Sequence, residues 1–313
     1  MAATKAQILP FFGVYFILIL SISLPSIQSR PVNNPFGFIQ NLQGSHKGQN
    51  VKGLRALKLY LHKFGYLNKD NDDDKNHAIT NVDDNSDEFD DSLESAIKTY
   101  QRRHRLKVTG MLDVETVNQM TKPRCGFPDI IMTFNNNNDN NFGNPHIWPP
   151  NVTHLRYRFL TTVEPPAGTE DLKAIVARAF EKWAQVSRFT FEEVAEDIAD
   201  SFELEIGFHG TRKLASDPHD IGFDGPRGVS AHADLPPRGN LHYDKDEAWS
   251  SNPGADEIDL ESIALHEIGH LLGLEHSVVP ESVMYGVFEY GTKTKRDLHP
   301  DDIESIHELY GST

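Results

Sequence analysis

The chain has 313 residues, 38% of them hydrophobic, enough length and apolar content for one or two cored domains. Its formal net charge of −16 argues against nucleic acid as a partner, because binding a phosphate backbone needs basic patches that displace counterions. A single cysteine, Cys125, excludes an internal disulfide framework.

Residues 1–29 open with one early cation, Lys5, followed by an apolar stretch over 8–20 and small polar residues near Ser26 and Ser29. That is the layout of a cleaved secretory signal, and the apolar run is short for a membrane span. No second long apolar run appears, and the ending HELYGST carries no tail for lipid-anchor transfer. The expected mature product has no transmembrane span and lies outside the cytosol, in the extracellular space or the cell wall and matrix.

In VKGLRALKLYLHKFGY (51–66) the residues Leu54, Leu57, Leu59, Tyr60 and Leu61 predict a short helix stopped near Gly65. An acidic run follows: residues 68–91 hold ten Asp/Glu against two Lys and read as a solvated loop. SLESAIKTYQRRHRL (92–106) repeats apolar positions at Leu93, Ile97, Tyr100 and Leu106. VTGMLDVETVNQM (108–120) turns at Gly110 into a third helix with Asp113 as N-cap. Three small helices with a Thr-Gly turn resemble the peptidoglycan-binding-like module that precedes some extracellular zinc hydrolases.

The lone thiol follows in PRCGFPD (123–129). Three readings compete for it: a buried inert thiol, an intermolecular bridge, or a metal ligand. Pro123, Gly126 and Pro128 make a turn-rich loop, and Arg124 and Asp129 put charges beside the sulfur, which is a poor core environment. Residues 131–147 are then an Asn-rich linker, a natural place for a protease to cut.

Beyond the linker the composition is that of a mixed domain. HLRYRF (154–159) alternates like a strand, and FTFEEV and FELEIGF read as further strands. In the helix over 170–187, Leu172, Ile175, Ala179, Phe180 and Trp183 share one face. Asn151-Val152-Thr153 is a glycosylation sequon.

The chemistry concentrates in DLESIALHEIGHLLGLEHSVVPESVMYG (259–286). His266 and His270 are one helical turn apart, so both imidazoles leave the same face and suit a single Zn²⁺. Glu267 lies beside the first of them and can accept a proton from a water at the metal. Gly273 lets the chain leave the helix and swing back to deliver His276. Three protein ligands with one position open is the arrangement of a catalytic zinc. Met284, eight residues beyond His276, is placed for an apolar turn beneath the metal rather than for ligation.

HEIGHLLGLEHS with Met284 resembles the metzincin pattern, and Ser277 after the third histidine resembles its matrixin variant. PRCGFPD is similar to the matrixin cysteine switch. The resemblance covers nearly the whole chain and is to plant-type, hemopexin-less matrix metalloproteinases. It implies an α+β, metzincin-like catalytic domain, a twisted mixed sheet plus three helices, over residues 148–313. A small all-α pro-domain over 30–130 precedes it, ending in the switch loop. It implies a zinc endopeptidase acting on extracellular proteins or peptides, with Cys125 on the zinc of the latent form and Arg124 and Asp129 pairing to hold the loop. An activating protease is the further partner implied. A zinc-dependent cell-wall hydrolase is the alternative enzyme, and a binding protein that kept its metal site as scaffold is the non-enzymatic one.

The resemblance also assigns a second metal region. His232 and His242 match structural-zinc histidines, and His219 and Asp217 match in a reordered Asp-Pro-His-Asp stretch that departs from the family's His-x-Asp. Asp224, Asp244 and Glu247, with carbonyls of Gly225, Arg227 and Val229, match calcium ligands; hard oxygens suit Ca²⁺ and imidazoles suit zinc. GVSAHA (228–233) is expected as an edge strand that a substrate joins. Side-chain preference is expected from the pocket after Met284, where Gly286-Val287-Phe288 replaces the family's Pro-x-Tyr wall. Asp301 or Asp302, at the start of the last helix, is the implied partner of a new amino terminus after activation.

Overall fold

The computed structural model describes residues 34–67, 86–131, 146–160, 164–195, 202–211 and 222–312. The signal expected at 1–29, most of the acidic run and the Asn-rich linker, His219 and Asp217 lie outside these residues. Among the described residues no helix is long and apolar enough to cross a membrane.

The N-terminal part is helical: α1 (Leu54–Lys63), α2 (Asp91–Arg103) and α3 (Val114–Met120), with a short 3-10 helix at Gly37–Leu42. The starts are set by carboxylates that take orphan amides. Asp90 accepts from the Leu93 N–H at 2.7 Å, and Asp113 from the Thr116 N–H at 2.9 Å. Leu54, Leu57, Leu61, Leu93, Ile97 and Tyr100 form the core. Leu59 does not join it: on α1 it points outward and is 55% exposed, because 57 and 61 already occupy the i, i+4 stripe. At Gly65 (φ +84°) a Cβ would lie 2.1 Å from the Ile130 carbonyl oxygen, so the chain turns there against the residue that follows the PRCGFPD loop.

A six-stranded mixed sheet forms the second part. Its strands are β1 (Arg124–Cys125), β2 (His154–Phe159), β3 (Thr190–Glu193), β4 (Leu204–His209), β5 (Val229–Ala233) and β6 (Asn240–Asp244), in the order β1-β5-β6-β4-β2-β3. All neighbours are parallel except β5 and β6. Short strands β7 (Trp249–Ser250) and β8 (Ile258–Asp259) pair separately. Three helices complete the part: α4 (Leu172–Ala184), α5 (Leu260–Leu271) and α6 (Pro300–Tyr310). The fold is α+β, with a helical module before a mixed-sheet domain. Trp183 on α4 is fully buried and its indole N–H donates to the Leu265 carbonyl on α5 at 2.9 Å, which locks the two helices together over the sheet. β5 would be the sheet edge but for β1, which lies along it.

Candidate metal centre and active site

Helix α5 starts at Asp259, whose carboxylate accepts from the Ser262 amide at 3.1 Å, and nearly all of it is buried. His266 and His270 leave it on one face. Gly273, at φ +96°, turns the chain out; a Cβ there would meet the His146 carbonyl at 2.6 Å. The chain then returns His276. Met284 packs from below, so close to Gly269 that any Cβ on that glycine would overlap its sulfur at 2.3 Å. At Gly286, where the chain departs from the expected wall, a Cβ would stand 2.5 Å from the His276 ring.

The ring nitrogens settle their own roles. His266 Nδ1 lies 2.7 Å from the Val283 carbonyl, and His270 Nδ1 lies 2.7 Å from that of Leu274. A carbonyl only accepts, so both Nδ1 atoms carry the proton and both Nε2 atoms present lone pairs. His276 Nδ1 donates in the same way to Asp129 Oδ1 at 2.8 Å. The Nε2 atoms of His266 and His276 are buried without a hydrogen bond. These nitrogens, with Cys125 Sγ, provide four ligand atoms all within 4.8 Å of one another. Cys125 Sγ stands 3.5 Å from His270 Nε2. Three imidazole nitrogens and one sulfur, the rings oriented by two carbonyls and the Asp129 carboxylate behind them, fit a tetrahedral zinc.

Burial lowers the pKa of all three imidazoles and raises that of the thiol, so each group is held in its neutral form. A cation among them reverses this for sulfur, since it favours the thiolate. Both Glu267 oxygens are buried with no well-formed hydrogen bond. Burial pushes its carboxyl up to about 8, near the range that suits a base at neutral pH.

Cys125 is fully buried, contrary to the expectation that its loop makes a poor core environment. The reason is the cleft: the loop is turn-rich, but it is sandwiched. The Cys125 amide donates to the Gly286 carbonyl at 3.0 Å and the Phe288 amide to the Pro123 carbonyl at 2.8 Å. On the other side Arg124 N donates to Gly228 O at 3.0 Å and Gly126 N to Ala231 O at 2.8 Å. The segment thus sits as an added strand between β5 and residues 286–288. Phe127 packs over His270 at 4.4 Å between ring centroids. Arg124 and Asp129 are both buried and meet at 2.8 Å.

Further contacts of the helical module, with this loop and with the chain around the third histidine, were not read from the sequence. Tyr66 donates to Asp129 Oδ2 at 2.7 Å, Arg103 donates to the His276 carbonyl at 2.8 Å, and His104 Nδ1 lies 2.6 Å from the Tyr285 hydroxyl. No sequence periodicity links residues 63 or more apart.

In the second region, His232 and His242 stand side by side in the β5/β6 register. Their companion is His209, which ends β4; the three nitrogens lie within 4.8 Å of one another. His209 sits one residue beyond the strand read as FELEIGF, so continuing that alternation by one position was the available signal. Asp224, Asp244 and Glu247 are neighbours, but already carry internal bonds. Asp224 accepts from Val229 N at 2.9 Å, Asp244 from Asp246 N at 2.9 Å, and Glu247 from Arg227 N at 2.8 Å. Burial and mutual repulsion raise Asp244 and Glu247 to about 7. Asp302 is buried and holds the Met284 turn, accepting from the Val283 and Met284 amides at 2.9 and 3.1 Å, while Asp301 accepts from Ser277 Oγ at 2.6 Å. Asn151 is exposed.

Residues 147–311 match the sequence profile of the matrixin peptidases. The chain belongs to the matrixin family. This matrixin is therefore a zinc metalloendopeptidase, and its substrates are proteins. Its residues 50–120 match a putative peptidoglycan binding domain. It is similar to metalloendoproteinase 5-MMP of Arabidopsis thaliana, 37% identical over 310 residues that cover 92% of this chain and 80% of that one. Metalloendoproteinase 1 of Glycine max is 37% identical over 311 residues, 93% of each chain. Human matrix metalloproteinase-19 is 34% identical over 254 residues, 80% of this matrixin and 44% of the human protein.

Proposed function

We propose that this matrixin is made as a secreted, latent precursor in which Cys125 takes the fourth position of a zinc held by His266, His270 and His276. The observation that carries the reading is the approach of Cys125 Sγ to His270 Nε2, at 3.5 Å, inside a buried group of four convergent ligand atoms. A zinc ion held there supplies Lewis acidity toward water and the substrate carbonyl. While the sulfur holds its place, no water can be activated. Arg124 and Asp129 keep the loop seated, and Met284 supports the imidazoles from beneath.

The division that follows is a signal over 1–29, a pro-domain over 30–130, a linker cut by an activating protease at 131–147, and a catalytic domain over 148–313. Cutting the linker lets the pro-domain leave. A peptide substrate of extracellular origin then replaces the switch segment along β5, bound through its main chain. Glu267 takes the proton of the attacking water and hands it to the leaving amine. His209, His232 and His242 would hold a structural zinc. Asp224, Asp244 and Glu247, with carbonyls of Gly225, Arg227 and Val229, would hold a calcium ion, a charge that the raised carboxyls of Asp244 and Glu247 invite. The exposed Asn151 sequon is a glycosylation site on the same reading.

The test uses the purified precursor. Treatment with trypsin or a thiol-reactive mercurial should produce peptide cleavage that a chelator abolishes, and X-ray absorption of the untreated protein should show sulfur on zinc. Full activity before treatment, or a zinc bound by nitrogen and oxygen alone, would refute latency.

A further inference from the structure

The proposed ligands His270 and His276 stand on either side of the place where α5 ends, and that end is fastened from outside the helix. Its closing turn satisfies three carbonyls by itself. Leu272 N donates to Ile268 O at 3.1 Å, Gly273 N to His270 O at 2.8 Å and Leu274 N to Gly269 O at 3.0 Å. The last two are the paired bonds of a helix end closed by a left-handed glycine. The carbonyls of Leu271 and Leu272 are among those a helix leaves open at its end, and both residues are fully buried. Two side chains take them. The Trp148 indole N–H donates to Leu271 O at 2.9 Å, and the Tyr310 hydroxyl donates to Leu272 O at 2.7 Å.

The two side chains are also tied to each other. The Tyr310 oxygen accepts from the Trp148 amide at 3.0 Å, so one hydroxyl joins the chain before β2, the exit of α5 and the last turn of α6. Arg188 closes the other side, donating to the carbonyls of Trp148 and Pro149 at 3.0 Å each. Its guanidinium lies over the Tyr310 ring, 4.6 Å from the centroid, and Phe189 meets that ring edge-on at 4.8 Å. The ring therefore keeps its packing partners whether or not it carries a hydroxyl.

What this clamp holds is the turn between two ligands. Leu274 O, two residues beyond Leu272, accepts from His270 Nδ1 at 2.7 Å. His276 follows two residues later. Between them and the helix stands Gly273, where a Cβ would lie 2.6 Å from His146 O and 3.4 Å from the Tyr310 hydroxyl. A displaced Leu272 carbonyl is thus passed on to the carbonyl that aims His270 and to the chain that delivers His276. None of these contacts involves β5 or residues 286–288, so main-chain binding of a substrate there does not depend on them.

We propose that Trp148 and Tyr310 are positioning residues for the metal centre: by holding the Leu271 and Leu272 carbonyls they fix the turn that orients His270 and presents His276. The proposal deepens the reading given under the proposed function and rests on its assignment of the three histidines to one metal. Groups directly behind a metal ligand are worth about 10–100-fold in metal affinity. A bond one step further back belongs at the low end of that range.

The experiment uses the full-length precursor loaded with cobalt. A cobalt ion on a thiolate shows a sulfur charge-transfer band, and Cys125 is the lone cysteine, so that band reports this centre alone. A chelator should strip cobalt about tenfold more readily from Tyr310→Phe and from Trp148→Phe than from the wild type. Ile306→Val, a core substitution on α6 that removes no hydrogen bond, should lower the melting temperature and leave the cobalt affinity where it was. In the mercurial-opened protein the same two variants should lose about tenfold in kcat with KM unchanged, and Ile306→Val should keep both. If Tyr310→Phe and Trp148→Phe hold cobalt as the wild type does, or if Ile306→Val releases it as readily as they do, the two side chains serve the fold alone and the proposal is wrong. A wild type that takes up cobalt without the sulfur band would refute the switch and leave the comparison to the kcat values. A wild type that takes up none would refute the metal centre, and this proposal with it.

Discussion

Asp129 has more to do than its place in a surface-looking loop suggests. One buried carboxylate meets Arg124 at 2.8 Å, the ring of His276 at 2.8 Å and the hydroxyl of Tyr66 at 2.7 Å. Burial pushes its pKa up, but the guanidinium and the imidazole outweigh that and hold it well below the usual carboxylate range. Asp129→Ala would strand the Arg124 guanidinium in the interior, at a cost of about 3–5 kcal/mol. It should lower the melting temperature of the precursor and produce activity without treatment, both measurable on one preparation. Glu267 is the opposite case, a buried carboxylate whose polar neighbour is the Cys125 thiol. Glu267→Ala in the activated protein should lose at least ~10²–10⁴-fold in turnover, while metal analysis finds the zinc content unchanged.

The helices meet the active site at two ends. At the exit of α5, Gly273 is held at φ +96° against the His146 carbonyl. Gly273→Ala should cost more than about 1 kcal/mol, seen as a lower melting temperature and a weaker hold on zinc, since His276 depends on that turn. At the other end, α2 stops at His104, whose tautomer is set by its partners. Tyr66 gives its proton to Asp129, so its oxygen accepts from His104 Nε2 at 3.1 Å, and His104 Nδ1 accepts from Tyr285 at 2.6 Å. Burial keeps this ring neutral, with its pKa lowered to about 3. In the unfolded chain it would take a proton near 6.5. The folded form therefore has its full stability above about 6.5 and loses it progressively as the pH falls toward 3. Thermal melts of the precursor from pH 8 to 4 should show this loss, and His104→Gln should flatten the slope; parallel curves would contradict it.

Taken together, the helical module and the catalytic domain are joined through the cleft itself. Phe223 and Val229 of the sheet domain are part of the helical module's core, and β1 finishes the sheet by covering β5. The proposed metals hold the regions that this seam does not. Chelation of the activated enzyme should lower its melting temperature, with Ca²⁺ restoring part of the loss if Asp224, Asp244 and Glu247 bind it, and Zn²⁺ the remainder through His209, His232 and His242. A melting temperature indifferent to both ions would dismiss the second metal region.

Local pattern was enough for much of this protein. The four-residue interval between His266 and His270 puts both on one helical face whatever surrounds them, and the glycine after that helix marks the turn that returns His276. The helix cap at Asp113 and the apolar faces of α2 and α4 are equally local, because each depends on neighbours within one or two turns. What required the folded chain were contacts between distant segments. The burial of Cys125, the hold of Asp129 on His276, and the arrival of His209 beside His232 and His242 all join residues far apart in sequence. A linear pattern records which way a side chain points along its own element; which partner waits there is set by how the elements pack.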